Sequence, residues 1–306
     1  MSVSPEIECY HREQTAHALE LYKSNLSASK GASDWEQFVK SSHQTIETAL
    51  EGTDFLLAIE TALKRSGRSS VLLRYLTTPP KSQAQFEHIC KQYSTSAENS
   101  GSGITTAKAE AVAAAFDEWR DRSITSWLDQ ERRPTESEID QLIRHVTPMM
   151  ALQKLMTFQR MSASAAQELA VAEMLVDAGW VHQKGRIIDR SIQAYRFMRK
   201  ARFVADRQTK EVDVAIGLGR TFVLALECKV SNDVTNSKKR INDIREKAAA
   251  WKEEYGRSLR SGGLLQGAYK AEDVLGLASS GIEVFWSHDL DRLRDWVISE
   301  ANKNGS

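Results

Sequence analysis

The stretch TFVLALECKVSND, Thr221–Asp233, runs through six apolar or small residues and then places Glu227 and Lys229 at its far end. Such a strand either emerges into water there, pairs the two groups as surface ions, or builds a site. Side chains alternate along a strand, so Phe222, Leu224, Leu226 and Cys228 point one way while Val223, Ala225, Glu227 and Lys229 point the other. The acid and the amine therefore share a face, with small Ala225 leaving room beside them. Cys228 turns to the core, as a small hydrophobe should. Fourteen residues upstream, EVDVAI holds Asp213 between Val212 and Val214, and GLGR separates the two runs as the turn of a β-hairpin. Gly217 and Gly219 do not make a phosphate-cradling loop, because a strand follows where that motif requires a helix. Asp213 thus approaches Glu227 and Lys229 from the neighbouring strand. Buried carboxylates without partners are costly, so a shared cation or a hydrogen-bond network must hold them. The pattern acid-x-Lys occurs once in the 306 residues. Its position at the end of this strand carries the information.

Outward from the hairpin, NSKKRINDIREKAAAWKEEYG places Ile241, Ile244, Ala248, Trp251 and Tyr255 on one stripe of helical period, which should pack on the sheet. GGLLQGAY and IEVFWSH read as strands, KAEDVLGLASSG and DLDRLRDWVISEAN as helices. Before the hairpin, SAAQELAVAEMLVDAGW puts Leu169, Ala172, Val176 and Trp180 on a helical stripe ending at Gly179, with Glu168 at its edge. The order helix, hairpin, helix, strand, helix, strand, helix predicts an α/β fold, a mixed β-sheet with helices on both faces, over residues 161–306. Residues 1–160 read as a mainly helical N-terminal region serving DNA binding or dimerisation. Within it PTESEIDQLI carries a capping box, Thr135 with Glu138, and STSAENSGSG, Ser94 to Gly103, reads as a loop or linker.

Composition bounds the chemistry. A chain 41% hydrophobic and 27% charged is an ordinary globular one, without an apolar run of the roughly 20 residues that span a bilayer. The start has no basic flank leading into an apolar stretch, so the cytoplasm is the expected location. Cys9, Cys90 and Cys228 are far apart and odd in number, against a disulfide scaffold or a structural zinc site. The seven histidines make no zinc-binding pair, and no G-x-S-x-G elbow is present. Net charge is zero, but Lys184 to Lys210 holds nine basic residues against two acids, and NSKKRINDIREK supplies a second basic cluster. Both flank the Glu227 strand. Lys238, Lys239 and Arg240, with Asn236 and Ser237 at a helix start, are candidates for phosphate and base-edge contacts. Arg196, Arg199, Lys200 and Arg202 form a second candidate DNA-binding surface.

EVD and LECK, preceded by a helix bearing Glu168 and followed by a basic helix, resemble the PD-(D/E)xK nuclease superfamily, whose fold is a mixed sheet flanked by helices. More narrowly, LECKVSNDVTNSKKRIND and GIEVFWSHDLDRL look like the XamI-type restriction endonucleases. The superfamily resemblance covers about residues 160–290, and valine precedes Asp213 where the motif's name has proline. It implies a restriction-endonuclease-like fold and Mg²⁺-dependent, sequence-specific hydrolysis of double-stranded DNA. Asp213 and Glu227 would bind one or two Mg²⁺ ions, for which Mn²⁺ can substitute, with the Cys228 carbonyl as a further oxygen ligand. Lys229 would orient or help deprotonate the attacking water. Glu168 would complete the metal shell, with Glu173 as the competing helix acid. Double-strand cleavage implies a homodimer on a near-palindromic site, and the lack of a bilayer-length apolar run implies no membrane partner. The alternatives are a repair or recombination nuclease of the same fold and a DNA-binding protein without catalysis.

Overall fold

A computed structural model describes residues 3–26, 28–185, 187–188, 191–203 and 210–304. Among the described residues α-helices come first: α1 (Pro5–Ser24), α2 (Ala28–Gly52), α3 (Ile59–Arg65), α4 (Ser70–Tyr75), α5 (Gln83–Ile89), α6 (Thr95–Ser100), α7 (Thr106–Trp119) and α8 (Glu136–Asp177). The strands β1 (Val181–His182), β2 (Ile187–Ile188), β3 (Arg196–Phe203), β4 (Lys210–Gly217) and β5 (Val223–Ser231) follow. The chain closes with α9 (Ser237–Tyr255), β6 (Leu259–Gly267), α10 (Ala271–Ala278), β7 (Glu283–Trp286) and α11 (Leu290–Asn304). Two compact units result, Ala28–Phe158 and, together, Met1–Ser27 with Gln159–Ser306. Helix α1 thus folds with the sheet.

The sheet has the order β1-β3-β4-β5-β6-β7, with β2 also paired to β3. It is mixed: β3 to β4 and β4 to β5 are antiparallel, while β5 to β6 and β6 to β7 are parallel. The expected hairpin is present, closed by Leu218 N–H to Phe222 O and Phe222 N–H to Gly219 O, both at 2.9 Å. Gly219 sits at φ +101°, which explains a glycine there. β3, within the basic stretch, was not expected as a strand. Arg186, Arg190 and Arg207 of that stretch lie outside the described residues.

Each face of the sheet has its own core. Leu224, Leu226 and Cys228 pack with Val171 and Leu175 of α8 and Leu293 and Val297 of α11. Val223 and Ala225 belong to the opposite face, with Val212 and Trp251. Ile241 and Ile244 of α9 join Val274 and Leu277 of α10 and Ala18 of α1. The predicted alternation along β5 and the α9 stripe both hold. The α8 stripe differs: Val171, Ala172 and Leu175 are buried, whereas Leu169 and Val176 are exposed. The packed face is rotated because Gln167 and Glu168 are themselves buried. Gln167 Nε2 donates to Leu264 O at 2.9 Å and to Ser287 Oγ at 2.7 Å.

In the helical unit Leu63, Leu72, Phe86, Phe116, Trp127 and Leu142 form one core. The segment expected as a linker contains α6, capped by Ser94 Oγ accepting from Ala97 N–H at 3.2 Å. Glu98 pins it in place, accepting from Arg74 Nη2 at 2.6 Å, Tyr93 Oη at 2.6 Å and Ser70 Oγ at 3.1 Å. The Thr135–Glu138 capping box forms, with Glu138 Oε2 accepting from Thr135 N–H at 2.8 Å. Among the described residues, no helix is long and apolar enough to cross a membrane.

Candidate active site

The antiparallel ladder of β4 and β5 ends at Val214 opposite Leu226, so the next cross-strand pair is Asp213 and Glu227. Asp213 Oδ2 accepts from the Cys228 N–H at 2.9 Å, which turns its carboxylate toward β5. Lys229 Nζ lies 2.7 Å from Glu227 Oε2 and 4.0 Å from Asp213 Oδ2. Both carboxylates thus lie within reach of one ammonium, as the strand alternation predicts. Glu227 is fully buried and Asp213 nearly so. Glu168, on the rotated face of α8, is buried beside them, while Glu173 is exposed.

Two further lysines complete the cluster. Lys200 of β3 bridges Glu168 Oε1 at 2.6 Å and Asp213 Oδ1 at 2.7 Å. Lys247 of α9 grips both Glu227 oxygens, at 2.8 and 2.7 Å, and donates to Glu211 O at 2.7 Å. Lys247 was missed by the sequence reading, although its place one residue before Ala248, beside the buried stripe, was a signal. Lys200 was expected on a DNA-binding surface; its side chain is partly exposed, but its ammonium is engaged by two buried carboxylates. Arg199 Nη2 stands 3.9 Å from Glu168 Oε2 and also faces the cluster.

Burial raises the Glu227 carboxyl, the charge of Asp213 raises it further, and Lys229 and Lys247 offset this only in part. Burial also pushes Asp213 up, but the Lys200 hydrogen bond, the Lys229 charge and the Cys228 N–H outweigh it, leaving the group below the usual range. Burial would strip the proton from Lys229, yet Glu227 and Asp213 hold it above its ordinary value. In the metal-free protein these two carboxylates thus favour the charged form of Lys229. Burial raises the Cys228 thiol well above normal, so its sulfur is neutral packing material.

Of the other DNA-binding candidates, Lys238 and Lys239 are exposed at the start of α9 and Arg240 is half-buried. Asn236 is exposed, with its N–H donating to Asp233 Oδ1 at 2.8 Å. Ser237 corrects the expectation: it is buried, donating to Asp273 Oδ2 at 2.7 Å and accepting from Lys270 N–H at 3.2 Å, which ties α9 to α10. Arg196 is half-buried on β3, and exposed Arg202 lies 3.8 Å from Glu211.

Among the described residues, no three acidic, histidine or cysteine side chains converge into a metal site by themselves, since lysines stand between the acids. The donors that do face each other, two carboxylates on adjoining strands, are the hard oxygen type that suits a small divalent ion. Burial and the neighbouring Asp213 charge, which together raise Glu227, are both penalties a bound cation would relieve.

The chain matches the family model of the XamI restriction endonucleases over residues 54–286, a span holding Glu168, Asp213, Glu227 and Lys229. It belongs to the XamI restriction endonuclease family. One curated relative is the type II restriction enzyme XamI of Xanthomonas campestris pv. amaranthicola, 30% identical over 190 residues. That match spans 60% of this chain and 66% of the relative, just under two thirds of its length. Among solved structures, protein VC1899 from Vibrio cholerae aligns at 10% identity and a TM-score of 0.31, over 89% of this chain and 57% of that one. A likeness that weak carries no argument. In this XamI-family chain the acid cluster lies wholly inside the matched span, and the helical unit is matched from residue 54 onward.

Proposed function

We propose that the chain is a type II restriction endonuclease, a site-specific deoxyribonuclease of the cytoplasm that hydrolyses phosphodiester bonds in double-stranded DNA with Mg²⁺, or Mn²⁺ in its place. One observation carries this reading: Asp213 and Glu227 meet at the end of one hairpin with the Lys229 ammonium within 4.0 Å of both. That arrangement fits the PD-(D/E)xK pattern, with Glu168 as the helix acid. Asp213, Glu227, the Cys228 carbonyl and Glu168, directly or through water, are the groups that would hold the ion. When bound, a divalent ion there supplies charge neutralisation at the phosphate and a water of lowered pKa.

The remaining work falls to the chain's own side chains. The Cys228 N–H fixes the direction of the Asp213 carboxylate, and Lys247 fixes that of Glu227. Lys229, 2.7 Å from Glu227 and 4.0 Å from Asp213, is placed to offset negative charge at the scissile phosphate and to orient or help deprotonate the attacking water. Lys238, Lys239 and Arg240 contact phosphates next to the catalytic strand, with Asn236 beside them, and Arg196 and Arg202 add contacts from β3. Cleavage of both strands calls for two such centres, so the working form is a two-fold dimer.

Digestion of a defined plasmid with Mg²⁺ tests the proposal. Discrete fragments with uniform ends are expected, and a smear would replace sequence specificity with nonspecific cutting. A Glu227→Ala chain should lose cleavage by about three orders of magnitude or more while still binding DNA. Unchanged cutting by that chain would remove the assigned centre.

A further inference from the structure

Lys200 departs from the pattern of its strand. Its backbone is left-handed, φ +48°, a conformation that costs a side chain bearing a Cβ and suits glycine or asparagine. The β3–β4 ladder pairs Arg199 with Val214 and Ala201 with Val212, skipping the step at which Lys200 would face Asp213. The faces are reset there: Met198, Ala201 and Phe203 all pack in one cluster, where regular alternation would send Met198 to the side opposite the other two. The break releases Lys200 from the ladder and brings its Nζ to 2.6 Å from Glu168 Oε1 and 2.7 Å from Asp213 Oδ1.

We propose that Lys200 is a positioning residue that stands in for the divalent cation in the metal-free protein, and that its ammonium must swing out before the ion can be held. The proposal rests on the reading that these carboxylates carry the metal. Charge supports it. Glu168, Asp213 and Glu227 face the ammonium groups of Lys200, Lys229 and Lys247, three against three, before Arg199 is added at 3.9 Å from Glu168. A divalent ion adds two positive charges to a centre already neutral. Its oxygens must sit about 2.0 to 2.6 Å away, a distance that leaves no place for an ammonium wedged between two carboxylates, as that of Lys200 is between Glu168 and Asp213. One lysine has to go. The side chain of Lys229 is 16% exposed and that of Lys247 27%, against 47% for Lys200, whose flexible four-carbon stem opens onto solvent. Lys200 is the group with a way out. It holds Glu168 and Asp213 in place while the ion is absent and sets the concentration at which the ion enters.

Mn²⁺ binding to the full-length, DNA-free chain, read from the paramagnetic resonance of free Mn²⁺, tests this without any cleavage. The Lys200→Met chain should bind Mn²⁺ about ten-fold more tightly or better, with Lys200→Arg close to the unsubstituted protein. Asp213→Asn should abolish binding. Equal or weaker binding by Lys200→Met, with Asp213→Asn still deficient, overturns the role of Lys200 and leaves the metal reading standing. Undiminished binding by Asp213→Asn overturns the metal reading itself. Removing Lys200 can prevent folding, so a second measurement uses the unsubstituted protein: acetic anhydride labelling followed by mass spectrometry. Labelling of Lys200 should rise severalfold when saturating Mn²⁺ is added, and an unchanged rate overturns the proposal.

Discussion

Acidification should undock α1 from the sheet unit, and His11 sets the size of the effect. His11 is 3% exposed, and its Nδ1 accepts from the Trp286 indole N–H of β7 at 3.4 Å. That hydrogen bond requires Nδ1 to be unprotonated. Burial, with the nearby charge of Arg292, lowers the imidazole from 6.5 to about 4. The unfolded chain takes up this proton below pH 6.5 and the folded chain only below about 4, so the unfolded state binds more protons between the two. The contribution is fully present above pH 6.5 and is lost as pH falls toward 4. At pH 5 the loss comes to about 2 kcal/mol. The assay compares urea unfolding and hydrogen exchange of residues 5–24 at pH 7.5 and pH 5, in the unsubstituted chain and in His11→Gln. Other groups titrate on the same surface, notably His288, which burial also lowers, so the difference between the two chains isolates His11. The unsubstituted chain should lose the additional 2 kcal/mol or so and the protection of α1, while His11→Gln shows the weaker dependence. Identical pH dependence in both chains would refute the burial of His11 against β7.

Lys247→Met removes two charge-assisted hydrogen bonds from fully buried Glu227, so cleavage at saturating Mg²⁺ should fall by about 10- to 100-fold with DNA affinity little changed. Arg74→Met leaves the Glu98 carboxylate buried without its cation, and should destabilise the helical unit by about 3 to 5 kcal/mol in urea titration. Gly267→Ala places a Cβ 2.2 Å from Ser231 O at φ +95°, where β5 and β6 end together two residues past Lys229. Its midpoint of denaturation should drop by an amount worth about 2 kcal/mol or more.

What could be read from the sequence had a local cause. Alternation along Val223 to Lys229 follows from strand geometry alone, and the structure puts Ala225 and Cys228 in the two opposite cores it requires. The α9 stripe is likewise apolar, regular and local. The α8 stripe failed because it counted apolar residues only. Gln167 is buried by partners 97 and 120 residues away, and those partners, absent from any local window, rotate the helix by bringing polar side chains inward. α1 escaped for the same reason. Its docking uses Tyr10 on Asp289, His11 on Trp286 and Gln14 on His288, and no apolar run announces such contacts.

The candidate site divides along the same line. Its acids on β4 and β5 were legible because one hairpin register sets both, and Lys229 because it shares a strand face with Glu227. The cations that make their burial tolerable come from β3 and α9, and a lysine carries no mark in the sequence that separates a solvated one from one turned inward. Lys247 left a trace, since it lies beside a buried stripe. Lys200 left none, because a left-handed residue in mid-strand breaks the very alternation from which its direction would be inferred. Burial of three carboxylates nevertheless requires such cations on energetic grounds. The three acids are accordingly met by three ammonium groups, with the Arg199 guanidinium 3.9 Å from Glu168, and only Lys229 among these cations shares a strand with an acid it pairs.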